Sequence, residues 1–243
     1  MLRIGTWNLE HARSARHDAV RLNVLERANA DVWVLTETND RVSLRGYAAC
    51  HSAPRPSSTP GGRWVSIWTR LPILEVLQVQ DCSRAAAARI ASPVGELLAY
   101  GTVLPWHADV GEPPIEPKPA AWSEQYRTIP LQAADWLRLH TAHPRALLTV
   151  AGDLNMSLGG PRYYGTTNGR SLLTQAMQAV ELFCATSFER VPAGMLQHPA
   201  IDHILLPSVL SGRASVATAW EGTVSDLRLS DHSGLVVELD LSA

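Results

Sequence analysis

Apolar residues fall in short runs along the chain, and their spacing predicts mostly strands. Leu2 to Leu9 reads as a buried strand. Residues 14–28 place Val20, Val24, Leu25 and Ala28 at helical spacing and predict a helix. Asp31 to Glu37, with Val32, Val34 and Leu35, predicts a second strand. The stretch 51–63 holds three prolines, two glycines and three serines, which predicts a loop. Arg63 to Arg70 predicts a strand carrying Trp64 and Trp68, closed by Leu71-Pro72, and strand-like runs follow near 73–80, near 84–91 and from Leu97 to Leu104. Residues 109–119 are rich in proline and acids; proline lacks the amide donor that a helix interior needs, so a loop is expected there. A helix is predicted over 121–140, a strand from Ala146 to Ala151, a glycine-rich loop over 157–169 and a helix over 170–180. Strands over 201–206, 213–219 and 234–241 end the pattern. Strands outnumber helices and are grouped rather than alternating with them. That predicts an α+β layered sandwich and not a doubly wound parallel sheet. No long Pro/Ser linker, repeat or low-complexity tract divides the chain, so one domain over 1–243 is expected.

Composition adds little to the fold and more to the setting. At 46% hydrophobic and 18% charged residues the chain is globular, neither disordered nor a coiled coil. Its net charge of -2 gives no overall basic coat for nucleic acid, although a local patch can still bind it. Lys118 is the only lysine among the 21 basic residues, an arginine bias with no bearing on fold. Cys50, Cys82 and Cys184 form no CxxC pair and are odd in number, which suits reduced thiols. The N-terminal run Met1-Leu2-Arg3-Ile4-Gly5 has no apolar leader or cleavage site, and no apolar run approaches membrane-spanning length. A soluble cytoplasmic protein, off the membrane, is therefore expected.

Several cofactor and nucleophile motifs are missing: GxGxxG after a strand, the Walker A loop, HExxH and GxSxG. What stands out instead is a set of polar residues at the ends of apolar runs: Asn8 and Glu10, Glu37, Asp153 and Asn155, Asp202-His203, and Asp231-His232. Taken singly, each has an ordinary reading as a turn residue, a solvated strand end or a salt-bridging acid. Gathered at one mouth, carboxylates repel and are costly to bury unless a cation joins them. Oxygen ligands without cysteine suit Mg²⁺ or Mn²⁺, and a histidine beside them suits phosphoryl chemistry.

The motif order resembles the endonuclease/exonuclease/phosphatase superfamily. The carriers are Thr6-Trp7-Asn8-Leu9-Glu10, then Asp31 through Thr36-Glu37, Gly152-Asp153-Leu154-Asn155, Ile201-Asp202-His203 and Ser230-Asp231-His232. The resemblance implies a four-layer αββα sandwich with its site at one edge of two sheets. It implies Glu37 as principal metal ligand, with Asn8 beside it, Asp231 completing the shell and Glu10 supporting the metal or its waters. It implies that Asp153 orients or deprotonates the attacking water, that Asn155 positions that water or the phosphate, and that His232 faces the scissile phosphate with Asp202 orienting the ring. Two positions depart from the pattern. Thr36 stands where the family usually has glutamine, and the residue expected at the central strand's end is represented by His107, displaced past Pro105. Trp106 could stack on a base or sugar, or simply pack.

Chemistry is better defined than substrate. Nucleic acid is the first expectation, with Arg162 and Tyr164, on the loop after Asn155, touching phosphate and stacking bases. A small phosphoester, an inositol phosphate or a nucleotide, is the alternative. A non-catalytic binding module on the same fold is disfavoured, because every core acid and His232 are present.

Overall fold

In a computed structural model of the chain, residues 1–12, 14–56, 60–111, 114–224 and 226–240 are described. In chain order the elements are β1 (Leu2–Asn8), α1 (Ala15–Ala28), β2 (Val32–Asn39), β3 (Ala48–His51), β4 (Gly62–Thr69), β5 (Ile73–Leu77), β6 (Ala85–Ser92) and β7 (Gly95–Val103). There follow α2 (Ser123–Ala142), β8 (Leu147–Asp153), α3 (Thr167–Ala179), β9 (Leu182–Cys184), β10 (Asp202–Pro207), β11 (Ala214–Trp220), β12 (Thr223–Val224), β13 (Leu227–Arg228) and β14 (Gly234–Leu239).

β1 and β2 are buried along almost their whole length, as strands covered on both faces are. They pair in parallel, Ile4 opposite Val32 and Asn8 opposite Thr36, so their C-terminal ends open at the same edge. One sheet runs β11-β14-β1-β2-β4-β3 and the other β5-β6-β7-β8-β10-β9. Between them lies an apolar layer containing Ile4, Val34, Val65, Ile67, Ala99, Ala151, Ile204 and Val237. The sheets approach so closely at Gly101 that a Cβ there would stand 2.5 Å from a Val65 methyl carbon. On the outer face of the second sheet, Ile129, Trp136 and Leu139 of α2 and Leu173 of α3 cover Leu148, Val150 and Leu205. On the outer face of the first sheet, Leu25 and Ala28 of α1 join Trp7, Trp33, Leu35 and Val236. The layers therefore stack helix, sheet, sheet, helix, as the α+β reading expected.

Boundaries differ from the sequence pattern for local reasons. β3 and β9 went unseen because both are edge strands of only four and three residues, too short for a period to show; β12 and β13 are a two-residue ribbon. The expected strand at 73–80 stops at Leu77. The expected strand end at Ala151 is extended to Asp153, which pairs with Asp202 across the β8–β10 ladder. The helix expected from 170 starts at Thr167, because the Thr166 side chain accepts the Gly169 amide at 3.0 Å and caps it. His51 belongs to β3, and Gly62 and Arg63 to β4, which shortens the loop expected at 51–63. Residues 57–59 of that loop, 112 and 113 of the loop at 109–119, and residue 241 of the last expected strand lie outside the described residues. Among the described residues no helix is long and apolar enough to cross a membrane.

Candidate active site

The ends of β1 and β2 in one sheet, and of β8 and the start of β10 in the other, meet at one edge of the sandwich. Asn8 is the link between the sheets. It is fully buried, and its Nδ2 stands 3.1 Å from Glu37 Oε1 and 3.1 Å from Asp153 Oδ2. A single amide thus donates to two carboxylates from different sheets. The same residue anchors the loop before β14: Ser230 Oγ donates to the Asn8 main-chain oxygen at 2.6 Å and accepts the His232 amide at 3.0 Å. Next to it, the Trp7 indole donates to the His232 main-chain oxygen at 3.1 Å.

Asp153 is held from the other side. Its Oδ1 accepts the Asn155 amide at 2.8 Å and its Oδ2 accepts Asn155 Nδ2 at 2.9 Å. Asn155 takes a left-handed φ of 47°, which asparagine tolerates. Gly152 has a φ of +133°, and a Cβ there would come 2.0 Å from the Thr102 oxygen, so glycine alone fits the strand end that delivers Asp153. Asp202 Oδ2 lies 2.5 Å from His232 Nδ1, while Asp202 Oδ1 is buried without a partner. Asp153, Asp202 and His232 offer ligand atoms within 4.8 Å of one another. That trio differs from the set Glu37, Asn8, Asp231 and Glu10 implied by the family pattern. Since His232 Nδ1 is already engaged by Asp202, the trio is a hydrogen-bonded pair beside a carboxylate more than a ready cage.

Electrostatics follow from this crowding. Burial pushes the Asp153 carboxyl up to about 8; the His232 charge opposes that, and the charges of Asp202 and Glu37 reinforce it. His232 is held well above the ordinary histidine value. Burial works against its charge, but the charges of Asp202 and Asp153 and the Asp202 hydrogen bond outweigh it. Glu37 is held below the usual carboxylate range. Burial alone would raise it, and the hydrogen bonds and charge from His11, with the Asn8 amide, reverse the sign.

His11 went unnoticed in the sequence. It sits on a short turn after β1 in which Glu10, His11 and Ala12 all have left-handed backbones, φ 48°, 62° and 43°. Each such residue is disfavoured by roughly 1–2 kcal/mol. Tertiary contacts hold the turn: Glu10 Oε1 accepts from Arg228 at 3.1 Å, Arg41 bonds the Ala12 oxygen, and His11 Nδ1 lies 3.0 Å from Glu37 Oε2. Glu37 itself has a φ of 50°. The adjacency of His11 to Glu10 was the available signal, but nothing local announced the left-handed turn that brings it over Glu37.

These groups line a cleft of about 470 Å³ that includes Glu10, His11, Glu37, Asp153, Asn155, Asp231 and His232. Its far wall is Trp64, Arg84, Trp106, Tyr163 and Tyr164, and a second cavity of about 370 Å³ continues past Trp64, Arg84 and Trp106. Arg84 is nearly buried. Its Nη2 pairs with Asp109 at 2.8 Å and its guanidinium lies 4.9 Å over the Trp64 ring, which Arg55 also overlies at 3.8 Å. Trp64 and Arg84 carried no motif in the sequence. Trp106 is 46% exposed, so it stands on the cleft rather than packing in the core. Asp231 lines the cleft but is half exposed, 3.8 Å from His232 Nε2. Four expected site residues do not line it: Asn8 and Asp202 are buried behind the wall, where they hold Glu37, Asp153 and His232, and His107 and Arg162 stand outside. His107 reaches it only through the Tyr164 hydroxyl at 3.3 Å, beside Trp106 and Trp122, because the turn at Pro105, whose oxygen accepts from Gln125, carries it off the strand. Arg162 is exposed outside the cleft, since Arg170 ties its loop back through Ser157 and the Tyr164 oxygen.

Comparison with known proteins extends this geometry. A search of curated protein sequences finds no match. Among solved structures, the chain is similar to an AP endonuclease from Archaeoglobus fulgidus at 16% identity and TM-score 0.65, covering 99% of this chain and 100% of that one. It is similar to the 3' phosphatase NExo from Neisseria bound to product DNA hairpin, at 16% identity and TM-score 0.71, covering 99% and 100%. It is similar to the human Nocturnin catalytic domain with bound sulfate anion, at 17% identity and TM-score 0.66, covering 97% and 92%. These likenesses establish the fold. The sequence model of the Endonuclease/Exonuclease/phosphatase family matches residues 5–232, and the chain therefore belongs to that family of phosphoester hydrolases.

Proposed function

We propose that the chain is a divalent-cation-dependent nuclease, hydrolysing nucleic-acid phosphodiester bonds by in-line attack of water. One observation carries the reading: the Asn8 amide joins Glu37 to Asp153 beside the Asp202–His232 pair, at the floor of an open cleft. The donor set is mostly oxygen, and the buried Asp202 Oδ1 lacks a partner, which fits a hard divalent ion nearby. Glu37, supported by Asn8, Glu10 and Asp231, would hold Mg²⁺ or Mn²⁺. When bound, such an ion neutralises charge on phosphate oxygens.

The chain's own groups do the rest. Asp153, fixed by Asn155, orients a water and takes its proton as the water oxygen bonds to phosphorus. The ester oxygen opposite leaves with the bonding pair and takes a proton from solvent. His232, its Nδ1 held by Asp202, presents positive charge to the phosphate's equatorial oxygens. Trp106 and Tyr164 on the wall suit base or sugar stacking, and Arg84 suits a flanking phosphate. Two similar structures are described as an AP endonuclease and as a phosphatase with a DNA product, which supports a nucleic-acid substrate. A small phosphoester is the second reading, because 470 Å³ lies within the range of small-molecule sites. We read 1–243 as one catalytic domain and, from three free cysteines, a cytoplasmic setting.

The deciding experiment uses the inactive Asp153→Asn protein for binding and the wild type for turnover. Oligonucleotide affinity should fall with salt, with a log–log slope of about −0.7 to −0.9 per phosphate contact. Wild-type protein with Mg²⁺ or Mn²⁺ should cleave plasmid or RNA, and EDTA should abolish it. No oligonucleotide binding at about 50 mM salt, together with turnover of an inositol phosphate, would replace the nuclease reading by the second one. Equal activity in chelator on every phosphoester would remove the metal.

A further inference from the structure

We infer that His11 is a nitrogen ligand of the cation held by Glu37, and that the site accordingly favours Mn²⁺ or a similar imidazole-accepting ion over Mg²⁺. This rests on the metal-dependent reading above and deepens it, because that reading leaves the identity of the ion open between the two. His11 lines the cleft, and its Nδ1 has two neighbours in different directions: Glu37 Oε2 at 3.0 Å and Arg55 Nη1 at 2.8 Å. A ring nitrogen carries either a proton or a lone pair. With a proton it donates to Glu37 and meets the Arg55 N–H donor against donor. With a lone pair it accepts from Arg55 and opposes the Glu37 carboxylate acceptor against acceptor. No tautomer satisfies both contacts. A cation at Nδ1 and the carboxylate takes up the lone pair and the negative oxygen together; Arg55 then gives up Nδ1 and keeps the Trp64 ring, which it overlies at 3.8 Å.

The spacing agrees. Two neighbouring ligands of an octahedral ion with bonds of about 2.1 Å stand about 3.0 Å apart, and Nδ1 and Oε2 are 3.0 Å apart. The backbone adds an independent reason. Glu10, His11 and Ala12 hold three successive left-handed conformations, a costly arrangement that puts the imidazole over Glu37. Strain of this kind persists where the surroundings impose it and gathers at functional sites. Magnesium prefers oxygen donors, whereas imidazole suits the first-row transition ions. A histidine nitrogen added to an oxygen set therefore tilts selection away from Mg²⁺.

The test uses the full chain with Mn²⁺ as the probe. Pulsed electron paramagnetic resonance of the Mn²⁺-loaded protein reports directly bound imidazole as a nitrogen hyperfine coupling. Wild type and His232→Ala should both show it, and His11→Gln should lose it while still binding Mn²⁺. By calorimetry, His11→Gln should weaken Mn²⁺ binding roughly tenfold and Mg²⁺ binding by less than about twofold. A coupling that survives in His11→Gln, or bound Mn²⁺ in wild type without one, overturns the assignment and leaves the hydrolase reading standing. Should His11→Gln fail to fold, His232→Ala decides: coupling kept there supports His11, and coupling lost there assigns the nitrogen to His232 and overturns it. Absence of any Mn²⁺ binding by wild type would overturn the metal-dependent reading and this inference with it.

Discussion

Asp202 Oδ2 lies 2.5 Å from His232 Nδ1, and the second oxygen of the same carboxylate is buried with no hydrogen-bond partner. The pair joins the first residue of β10 to the loop before β14, and it accounts for much of the elevation of His232. His232→Ala should therefore lower turnover by about 100-fold or more, and Asp202→Asn by less. Removing the Asp202 charge lowers the His232 pKa, so the alkaline limb of kcat/KM against pH should move to lower pH in Asp202→Asn. Hydrolysis of bis-p-nitrophenyl phosphate across pH 6–10 reads this; an unmoved limb would separate Asp202 from the imidazole's charge.

In chelator, stability should fall as pH rises. Asp153 and His232 both bind their protons more tightly folded than unfolded. The stabilisation from each is complete below its unfolded pKa and is lost as pH climbs through the folded one. For Asp153 that window runs from near the ordinary aspartate value up to about 8. Melting temperature in EDTA should decline across this range, and Mg²⁺ or Mn²⁺ should flatten the decline by replacing the proton as the neutralising charge. Asp153→Asn should flatten it without metal. A melting temperature in EDTA that is independent of pH would contradict the assignment.

Two glycines should differ in tolerance. A Cβ at Gly101 meets side-chain methyl carbons of Val65 and Val34 at 2.5 and 2.9 Å, which can shift. Gly101→Ala should cost about 1–3 kcal/mol, the range of core overpacking. At Gly152 the Cβ meets the Thr102 main-chain oxygen at 2.0 Å, and φ is +133°. Gly152→Ala should cost more, and should also displace Asp153. Urea denaturation of both variants orders them; equal stability of Gly152→Ala and wild type would refute the strand-end geometry.

Trp106 is 46% exposed at the junction of the cleft and the second cavity. Trp106→Ala should leave the melting temperature nearly unchanged and weaken single-stranded oligonucleotide binding by about 1–3 kcal/mol, the worth of one stacked base. Undiminished affinity, measured in the Asp153→Asn background, would remove Trp106 from the substrate path.

Layering was legible because the segments that form β1, β2 and β8 carry Asn8, Glu37 and Asp153 at or near their C-terminal ends, and strand ends gather at sheet edges. The family pattern placed Asp202 with His232 in the same way. Residues set by tertiary contact were not legible. His11 depends on three left-handed residues, Arg84 on a buried pairing with Asp109, and Trp64 on two arginines distant in sequence. Arg162 and His107 misled for the converse reason. Each follows a site residue closely along the chain, but the Ser157–Arg170 contacts and the turn at Pro105 carry them elsewhere.

The Trp7–His232 and Asn8–Ser230 hydrogen bonds span 225 and 222 residues. The site is therefore closed by contacts of very high sequence separation, which form only once the loop-closure entropy between their partners has been overcome. A fragment lacking the segment after β13 keeps Glu37 and Asp153 but not the imidazole facing them, so it can hold most of both sheets and still lack the completed site.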